Sequence, residues 1–284
     1  FETRDNVAGL EGRLFVRGDF NVGVGKNKKK GYVIGRMGGG TGVFPPPGVP
    51  VLVTGGDIAG NGCINTPGFP PIQVGSNIAP TVSFIDRGEV IAGGVDHAAA
   101  DAVLAGLQAK SAWWGSLPDT EGGSIISRWG GLCITADGTN GNPRTWVFNL
   151  TFDLPSSSYW GVDFSGFEEG DTILVNCKKT GADETFTLGV NSYVINGVNL
   201  NSPFGPKLLW NFPAAKTVTI SGNAAFQGSV LVGSPGSVTS VSVPGHHGRF
   251  VSCGSVIHCG SSGAMFHNSP FTGVLPDPPP PAAG

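Results

Sequence analysis

Charged residues are scarce in this sequence. Only 13% of its 284 residues are Asp, Glu, Lys or Arg, about half of the roughly 25% that is usual in a soluble domain. The formal net charge is −3, so the chain has no broad basic face of the kind that binds nucleic acid. Its one basic run, Lys26 with Lys28, Lys29 and Lys30, is predicted to be a solvated loop, and a contact to a polyanion or acidic glycan is the alternative.

Long apolar runs are lacking as well. No stretch reaches the 18 or so residues of a membrane-spanning helix, which excludes such a span within this chain. The chain begins at Phe1 in polar sequence, without Met and without the apolar segment of a signal peptide. We therefore expect a mature or processed N-terminus.

The residue patterns of common catalytic and cofactor sites are missing too. There is no GxSxG elbow or HExxH, and Val24 stands where a phosphate-binding loop requires Lys. The cysteines form no CxxC pair, and His258 beside Cys259 has no matching pair for zinc. We predict no enzymatic activity, no cofactor, and no catalytic or metal-binding residues. A glycan-processing β-helix enzyme would need clustered carboxylates, and these are scattered.

Glycine and proline, in contrast, are abundant, with 47 and 22 residues. They cost about 1 and 3 kcal/mol in a helix interior, so a helical bundle is excluded. The glycines follow no three-residue period, which excludes collagen. Low charge together with many Ser, Thr, Asn and Gly residues suggests an extracellular location.

Five cysteines are present: Cys63, Cys133, Cys177, Cys253 and Cys259. An odd number leaves at least one thiol unpaired among them, and the pairing of the others stays open. Cys177 alternates with Ile173 and Val175 on one face of a predicted strand, so we expect it to be buried and free.

One helix stands out, over His97–Trp114. Asp96 can cap its first turn, and Gly115 is expected to end it. The helical spacing predicts a core-facing stripe of Val103, Leu104 and Leu107.

The rest of the chain predicts β-strands. In the segment 146–152, alternation places Trp146, Phe148, Leu150 and Phe152 on one face. Further apolar runs follow at intervals of roughly 8–13 residues, which fits a sandwich, a barrel or the coils of a β-solenoid. The opposite face carries Asn149 in an N-x-[ST] sequon, a possible N-glycosylation site whose alternative is a polar outer strand face.

Several stretches between residues 10 and 276 carry a resemblance to a known family. They are LEGRLFVRGDF, VLVTGGDI, WVFNL, DTILVNC, LLWNFPAAKTVTISG, FQGSVLVGSPGSVT and GAMFHNSPFTGVLP. In this order they resemble the opening, strand and closing motifs of the choice-of-anchor A domain, a family of secreted and surface-displayed modules. The helix at 95–114 occupies the position of that family's Ala/Leu-rich helix.

The resemblance implies a mainly β fold, a β-solenoid with one α-helix packed alongside. It also implies adhesion or matrix function without enzymatic activity, at the cell surface or after secretion. The domain is expected to span residues 1–275. The Pro-rich residues 276–284 would form a linker or tail.

Two motifs are predicted to be structural. Trp210, Asn211 and Phe212 are expected to form a corner in which the buried Asn amide satisfies backbone groups at a coil turn. His267, Asn268 and Phe271 are expected to close the last coil as a cap, because the end of a solenoid exposes unpaired strand edges.

The sequence thus favours an extracellular structural or adhesion module. Its expected partners are another copy of itself, in an oligomer or a head-to-tail fibre, or a ligand of the matrix or cell surface. Ice binding or glycan binding by a β-solenoid is the alternative. Ice binding would require regular T-x-T ladders, and the segments KTVTI and TFT are judged too few and too irregular for a long one.

Overall fold

The computed structural model is mainly β with one α-helix, as predicted. It describes residues 1–5, 7–23, 31–35, 46–138, 144–154, 161–179, 184–195, 198–199, 205–260 and 263–278. The lysine run at 26–30 and the prolines at 279–281 lie outside these ranges. Within these ranges every strand pair is parallel except two, β12 with β13 and β18 with β19, which are antiparallel.

Two seven-stranded sheets form two sides of the molecule. Sheet I contains, in order of hydrogen bonding, β17 (Thr185–Gly189), β21 (Thr217–Ser221), β24 (Val238–Ser242), β27 (Ser255–His258), β1 (Glu2–Thr3), β4 (Phe20–Val22) and β7 (Ile58–Gly60). Sheet II contains β10 (Ser83–Ile85), β8 (Cys63–Asn65), β5 (Tyr32–Ile34), β2 (Gly9–Leu10), β28 (Met265–His267), β25 (Gly245–His247) and β22 (Phe226–Gln227).

The remaining strands form three smaller sheets. Sheet III contains β11 (Val90–Ala92), β9 (Ile72–Val74), β6 (Leu52–Thr54) and β3 (Leu14–Val16). Sheet IV contains β14 (Thr145–Leu150), β16 (Thr172–Cys177), β20 (Leu208–Phe212), β23 (Ser229–Val232) and β26 (Phe250–Ser252). Sheet V contains β12 (Gly123–Arg128), β13 (Gly131–Ala136), β15 (Val162–Ser165), β18 (Tyr193–Ile195) and β19 (Val198–Asn199), and a one-turn 3-10 helix spans Gly205–Lys207.

Alternating apolar side chains build the core between these sheets. The predicted alternation is confirmed in β14, where Trp146, Phe148 and Leu150 are fully buried in the central cluster and Phe152 packs against it. Val147 points the other way, into a second cluster with Trp114. The core therefore has a main part between the sheets and a smaller part between sheet IV and the helix.

Glycine allows neighbouring strand ends to approach closely. Gly222 has φ +122°, and a Cβ there would lie 2.0 Å from the carbonyl oxygen of Val190. Gly60 has φ +100° and would meet Val22 O at 2.2 Å. Both the left-handed backbone and the contact exclude a larger residue, which accounts for part of the high glycine content.

The first and last strands of the chain meet in the middle of the sheets. β1 lies between β27 and β4, and β2 lies between β28 and β5. The last strand, β28, thus has a neighbour on each side. The expectation that His267, Asn268 and Phe271 cap the end of a stack is therefore wrong, because the N-terminal strands cover the position that was expected to be open.

Helix α1 (His97–Ser116) is capped as predicted, since the Asp96 side chain accepts a hydrogen bond from Ala99 N. It ends one residue beyond Gly115, with Leu117 as the C-cap. The predicted stripe is wrong at Val103, which is 62% exposed. The buried residues are Ser111, Trp114 and Gly115, because the C-terminal half of the helix packs on sheet IV.

A row of asparagines joins this half of the helix to the sheet. Asn149, Asn176 and Asn211 are register partners on β14, β16 and β20. Asn211 Nδ2 donates to Asn176 Oδ1 at 2.9 Å and to the Ser111 carbonyl at 2.9 Å. Asn176 Nδ2 donates to the Trp114 carbonyl at 2.8 Å. Asn211 is buried and satisfies a backbone group, but that group belongs to the helix rather than to a coil turn.

Replacing Asn211 by Leu should lower the free energy of unfolding by about 1–3 kcal/mol, because it leaves buried acceptors at Ser111 and Asn176 without a donor. Denaturant unfolding measures this difference. Asn77→Ala, at an exposed asparagine, is the matched control and should change stability by less than about 0.5 kcal/mol. An Asn211→Leu protein as stable as this control would contradict the proposed contribution of the row.

The sequon asparagine belongs to the same row. Asn149 Nδ2 donates to Asp119 Oδ1 at 2.8 Å and to the Leu117 carbonyl at 3.2 Å. The nitrogen that would carry a glycan is therefore engaged in the folded chain. Glycosylation at Asn149 stays a prediction.

The five cysteines form no disulfide in this structure. Cys177 is buried and free, as predicted, and burial raises its thiol pKa well above the usual value. In the described ranges, no helix is both long and apolar enough to cross a bilayer.

Candidate functional site

The aromatic residues of the first predicted motif lie in the core. Trp210 is fully buried and its Nε1 donates to the Gln227 carbonyl at 2.9 Å. Its ring lies 5.6 Å from that of Phe226. Phe212 is also fully buried, with an edge-to-face contact to Phe186 at 5.7 Å. These two aromatic side chains pack sheet IV against the other sheets. Because both are fully buried, they are not accessible to a ligand.

The second motif lies where the N- and C-terminal strands meet. His267 Nδ1 lies 3.1 Å from Glu11 Oε1, and Asn268 N donates to Glu11 Oε2 at 3.0 Å. The His267 ring stacks on His247 at 4.2 Å. Phe271 packs elsewhere, on the cluster between sheet IV and the helix. Within the described residues, no group of three or more His, Cys, Asp or Glu side chains could hold a metal ion.

The outer face of sheet I carries the most regular polar surface. On β17 and β21 the side chains of Phe186, Leu188, Val218 and Ile220 point inward and are buried. The alternate positions point outward and are occupied by threonines, except Gly189 and Ser221 at the ends of the two strands. The same alternation continues on β24 and β27 with serine as the main outward residue.

Register brings these outward residues into rows across four strands. One row joins Thr185, Thr217, Val238 and Ser255, the next joins Thr187, Thr219, Ser240 and Ile257, and the third joins Gly189, Ser221 and Ser242. We call the eight hydroxyl residues of these rows the hydroxyl array: Thr185, Thr187, Thr217, Thr219, Ser221, Ser240, Ser242 and Ser255. Array residues on neighbouring strands are spaced about 4.8 Å apart, and successive outward residues along one strand are spaced about 6.7 Å apart.

Charged residues border the array but do not enter it. Lys216 and Glu184 form an ion pair just before the first row. On the other side the next strand, β1, brings Glu2, which is paired with Arg4. Uncharged residues thus occupy every outward position of the four strands, with Val238 and Ile257 as the two apolar side chains among them.

The array as a whole is not predicted from the sequence, although two of its segments stand out there. KTVTI and TFT were judged too few, yet Thr185 pairs with Thr217 and Thr187 pairs with Thr219. The segments SVTSVS and SVIH add serines in the same rows. The available signal was Ser or Thr at alternate positions of the segments TFT, KTVTISG and SVTSVSV, with one further serine in SVIH. The mutual register of these segments could not be read from the sequence.

The fold and the outer face of sheet I describe a mainly parallel β protein with a hydroxyl-bearing sheet face and, among its described residues, no cluster of metal ligands. A family profile described as "Putative Ice-binding-like adhesive domain" matches residues 3–233. The chain belongs to this family. The match confirms the predicted adhesin-like character but not membership of the choice-of-anchor A family, and it supports a non-enzymatic role in adhesion or ice binding. An extracellular setting is consistent with an adhesive family.

Two solved structures are similar over most of the chain. An ice-binding protein from an Antarctic biological consortium has 12% identity and a TM-score of 0.34, and the match covers 92% of this chain and 86% of that one. A glycosylated ice-binding protein from an Arctic yeast has 13% identity and a TM-score of 0.35, with coverage of 96% and 94%. No curated protein matches the sequence.

Proposed function

We propose that this chain is a non-enzymatic extracellular adhesion module that attaches to a periodic surface through the hydroxyl array. The surface we assign is ice. The observation that supports this proposal is the pairing in register of Thr and Ser residues on four strands whose outward positions carry no charge.

The array suits a crystalline partner because it is regular in two directions. Threonine is stiff at χ1, so its methyl and hydroxyl groups lose little freedom on contact. The absence of charge removes the large cost of desolvating ionised groups. In our proposal the parallel coils form a β-solenoid, and its stacking keeps the face flat.

An extended glycan is the second candidate, since hydroxyl side chains also hydrogen-bond sugars. The outward positions of the array carry no aromatic ring, and binding sites for small organic groups are rich in aromatic side chains. This observation favours ice over a glycan.

Thr219→Lys tests the array at its centre. The added lysine should lower enrichment in a growing ice fraction by about tenfold or more, equal to about 1.4 kcal/mol, because a charge must be desolvated on a flat face. Ice-affinity partitioning measures it, with adsorption to insoluble cellulose and chitin run in parallel. Asn21→Lys is the matched control, since Asn21 is exposed on the same sheet beyond Glu2.

The two assays test separately whether the array is the binding face and whether its ligand is ice. Polysaccharide adsorption that Thr219→Lys abolishes, without ice enrichment of the unmodified chain, would replace ice by a glycan. Equal behaviour of Thr219→Lys and Asn21→Lys in both assays would refute the array as the binding face.

Self-association and the fibre remain predictions. The predicted boundary after residue 275 also stays a prediction, although contacts with the helix continue to Pro276 and Asp277. Trp114 Nε1 donates to Pro276 O at 2.9 Å, and Lys110 Nζ lies 3.3 Å from Asp277 Oδ1.

A further inference from the structure

Sheets III and IV share the third side of the molecule. In the C-terminal part the chain passes from β25 of sheet II through β26 of sheet IV to β27 of sheet I. In the N-terminal part it passes from β2 of sheet II through β3 of sheet III to β4 of sheet I. Strands of both sheets therefore connect sheet II to sheet I, in the same direction.

Among the described residues, no strand occupies one of the positions on this third side. Sheets I and II continue without a break where β27 pairs with β1 and β28 pairs with β2. A strand that connected sheet II to sheet I at this level would run from the end of β28 to the start of β1. On the third side it would have β26 of sheet IV as one neighbour and β3 of sheet III as the other. Instead the chain turns away after Asn268. Thr272 N then donates to the carbonyl of Pro206, in the 3-10 helix that directly precedes β20 of sheet IV. We call the space between β26 and β3 the strand slot.

Both walls of the strand slot present backbone groups to it. Leu14 N donates to Val51 O and Gly55 N donates to Val16 O, so Leu14 and Val16 face β6. Because backbone groups alternate along a strand, the N–H and C=O of Phe15 face the slot.

The same alternation holds on β26. Val230 N donates to Arg249 O and Cys253 N donates to Val232 O, so Phe250 and Ser252 direct their backbone groups into the slot. Among the described residues, no backbone hydrogen bond is made by Phe15, Phe250 or Ser252 toward this space. Strand edges of this kind pair with an added strand.

The strand slot is a cleft of about 1200 Å³. Leu10 and Phe266 line its inner side, and Val103, Leu104 and Leu107 of the helix line its outer side. A strand in the slot would therefore meet apolar side chains on both of its faces.

We propose that the strand slot binds an extended, apolar peptide strand supplied by a partner polypeptide, parallel to β3 and β26. Only a peptide backbone matches donors and acceptors on two facing strand edges. Strand β23 of this chain occupies a comparable position, because it lies between two parallel neighbours, β20 and β26. Its Leu231 belongs to the cluster between sheet IV and the helix, and its Val230 and Val232 belong to the main core.

The probe is a fluorescein-labelled peptide with the sequence of residues 228–234, GSVLVGS, titrated with the full chain and followed by anisotropy. The control peptide GSVPVGS lacks a central N–H. We expect saturable binding of the first peptide and an affinity lower by about tenfold or more for the second.

Proline in the walls tests the backbone contact itself. Phe15→Pro and Ser252→Pro remove an N–H that faces the slot while leaving the pairs with β6 and β23. Each should weaken binding by about tenfold or more, whereas Phe15→Ala and Ser252→Ala should stay within about threefold. Circular dichroism melting shows whether each variant folds.

A helix variant keeps the test valid if a proline variant does not fold. Val103→Glu places a carboxylate on the outer wall at an exposed residue and should weaken binding, while Ala102→Glu, exposed on the same helix and outside the slot lining, should not. No saturable binding by the unmodified chain, or equal binding by Val103→Glu and Ala102→Glu, would overturn the proposal. A dimer of the chain alone that Val103→Glu dissociates would assign the slot to a second copy instead of a partner.

Discussion

Trp210→Ala is expected to lower the free energy of unfolding by about 3–5 kcal/mol. The side chain is fully buried on β20, between β16 and β23, and it contacts Phe226. Its removal leaves a large cavity at a place where hydrogen-bonded strands on both sides prevent collapse. The loss of the indole N–H also leaves the Gln227 carbonyl without its donor. Urea or guanidinium unfolding measures the change.

Two further variants separate these effects. Trp210→Phe keeps most of the ring volume but removes the hydrogen bond, so its cost should be smaller, about 1–3 kcal/mol. Trp129→Ala replaces a tryptophan that is 69% exposed and contacts Arg128, and it should cost no more than about 1 kcal/mol. A Trp210→Ala cost equal to that of Trp129→Ala would contradict the structural assignment of this motif.

Acid is expected to destabilise the fold by about 4 kcal/mol between pH 7.5 and pH 5. Burial lowers the pKa of His246 to about 3 and that of His258 to about 3, while an unfolded histidine has a pKa near 6.5. Between these values the unfolded chain binds more protons than the folded chain. Stability is therefore complete above about pH 6.5 and falls as the pH decreases, by about 2 kcal/mol for each histidine at pH 5.

The surroundings of these histidines favour the neutral form. His246 stacks on Phe226 and makes edge contacts with Phe250 and Phe266. His258 Nδ1 lies 3.0 Å from the Tyr32 hydroxyl, and its ring lies 4.5 Å from that of Phe266. The neighbouring His247 also has a lowered pKa, mainly because of its burial.

Unfolding by urea at pH 7.5 and pH 5 measures this dependence. His246→Phe removes one titrating group from an aromatic environment and should reduce the loss of stability by about half. A His246→Phe protein with the same pH dependence as the unmodified chain would show that His246 is not buried as the structure places it.

Local features of the fold could be predicted because their causes are local. Asp96 caps the helix through a residue three positions away, and the alternation around Trp146 identifies its own buried face. Val103 was assigned to the core because helical spacing does not show how far along the helix the contact with sheet IV extends. Asn211 was expected to be buried, but its partner Ser111 lies 100 residues earlier.

The candidate site could not be predicted because it depends on register between separate strands. Each of Thr185, Thr217 and Ser255 is an ordinary polar residue at the start of its strand. They lie in one row only because Thr185 pairs with Thr217, and β24 links Thr217 to Ser255. The strand slot is likewise invisible in the sequence, since it results from where β1 enters sheet I.

The position of β1 also constrains how the chain reaches its native state. Glu2 pairs with Ile257 and Leu10 pairs with Phe266, so contacts of very high sequence separation close the molecule. Such contacts slow folding, because the entropy of loop closure is lost before they form. The other edges of these two strands pair locally, β1 with β4 and β2 with β5, so the N-terminal part can form most of its strand pairs early. One edge of β1 and one edge of β2 would then stay exposed until β27 and β28 fold, and the docking of these edges would join the two parts of the fold.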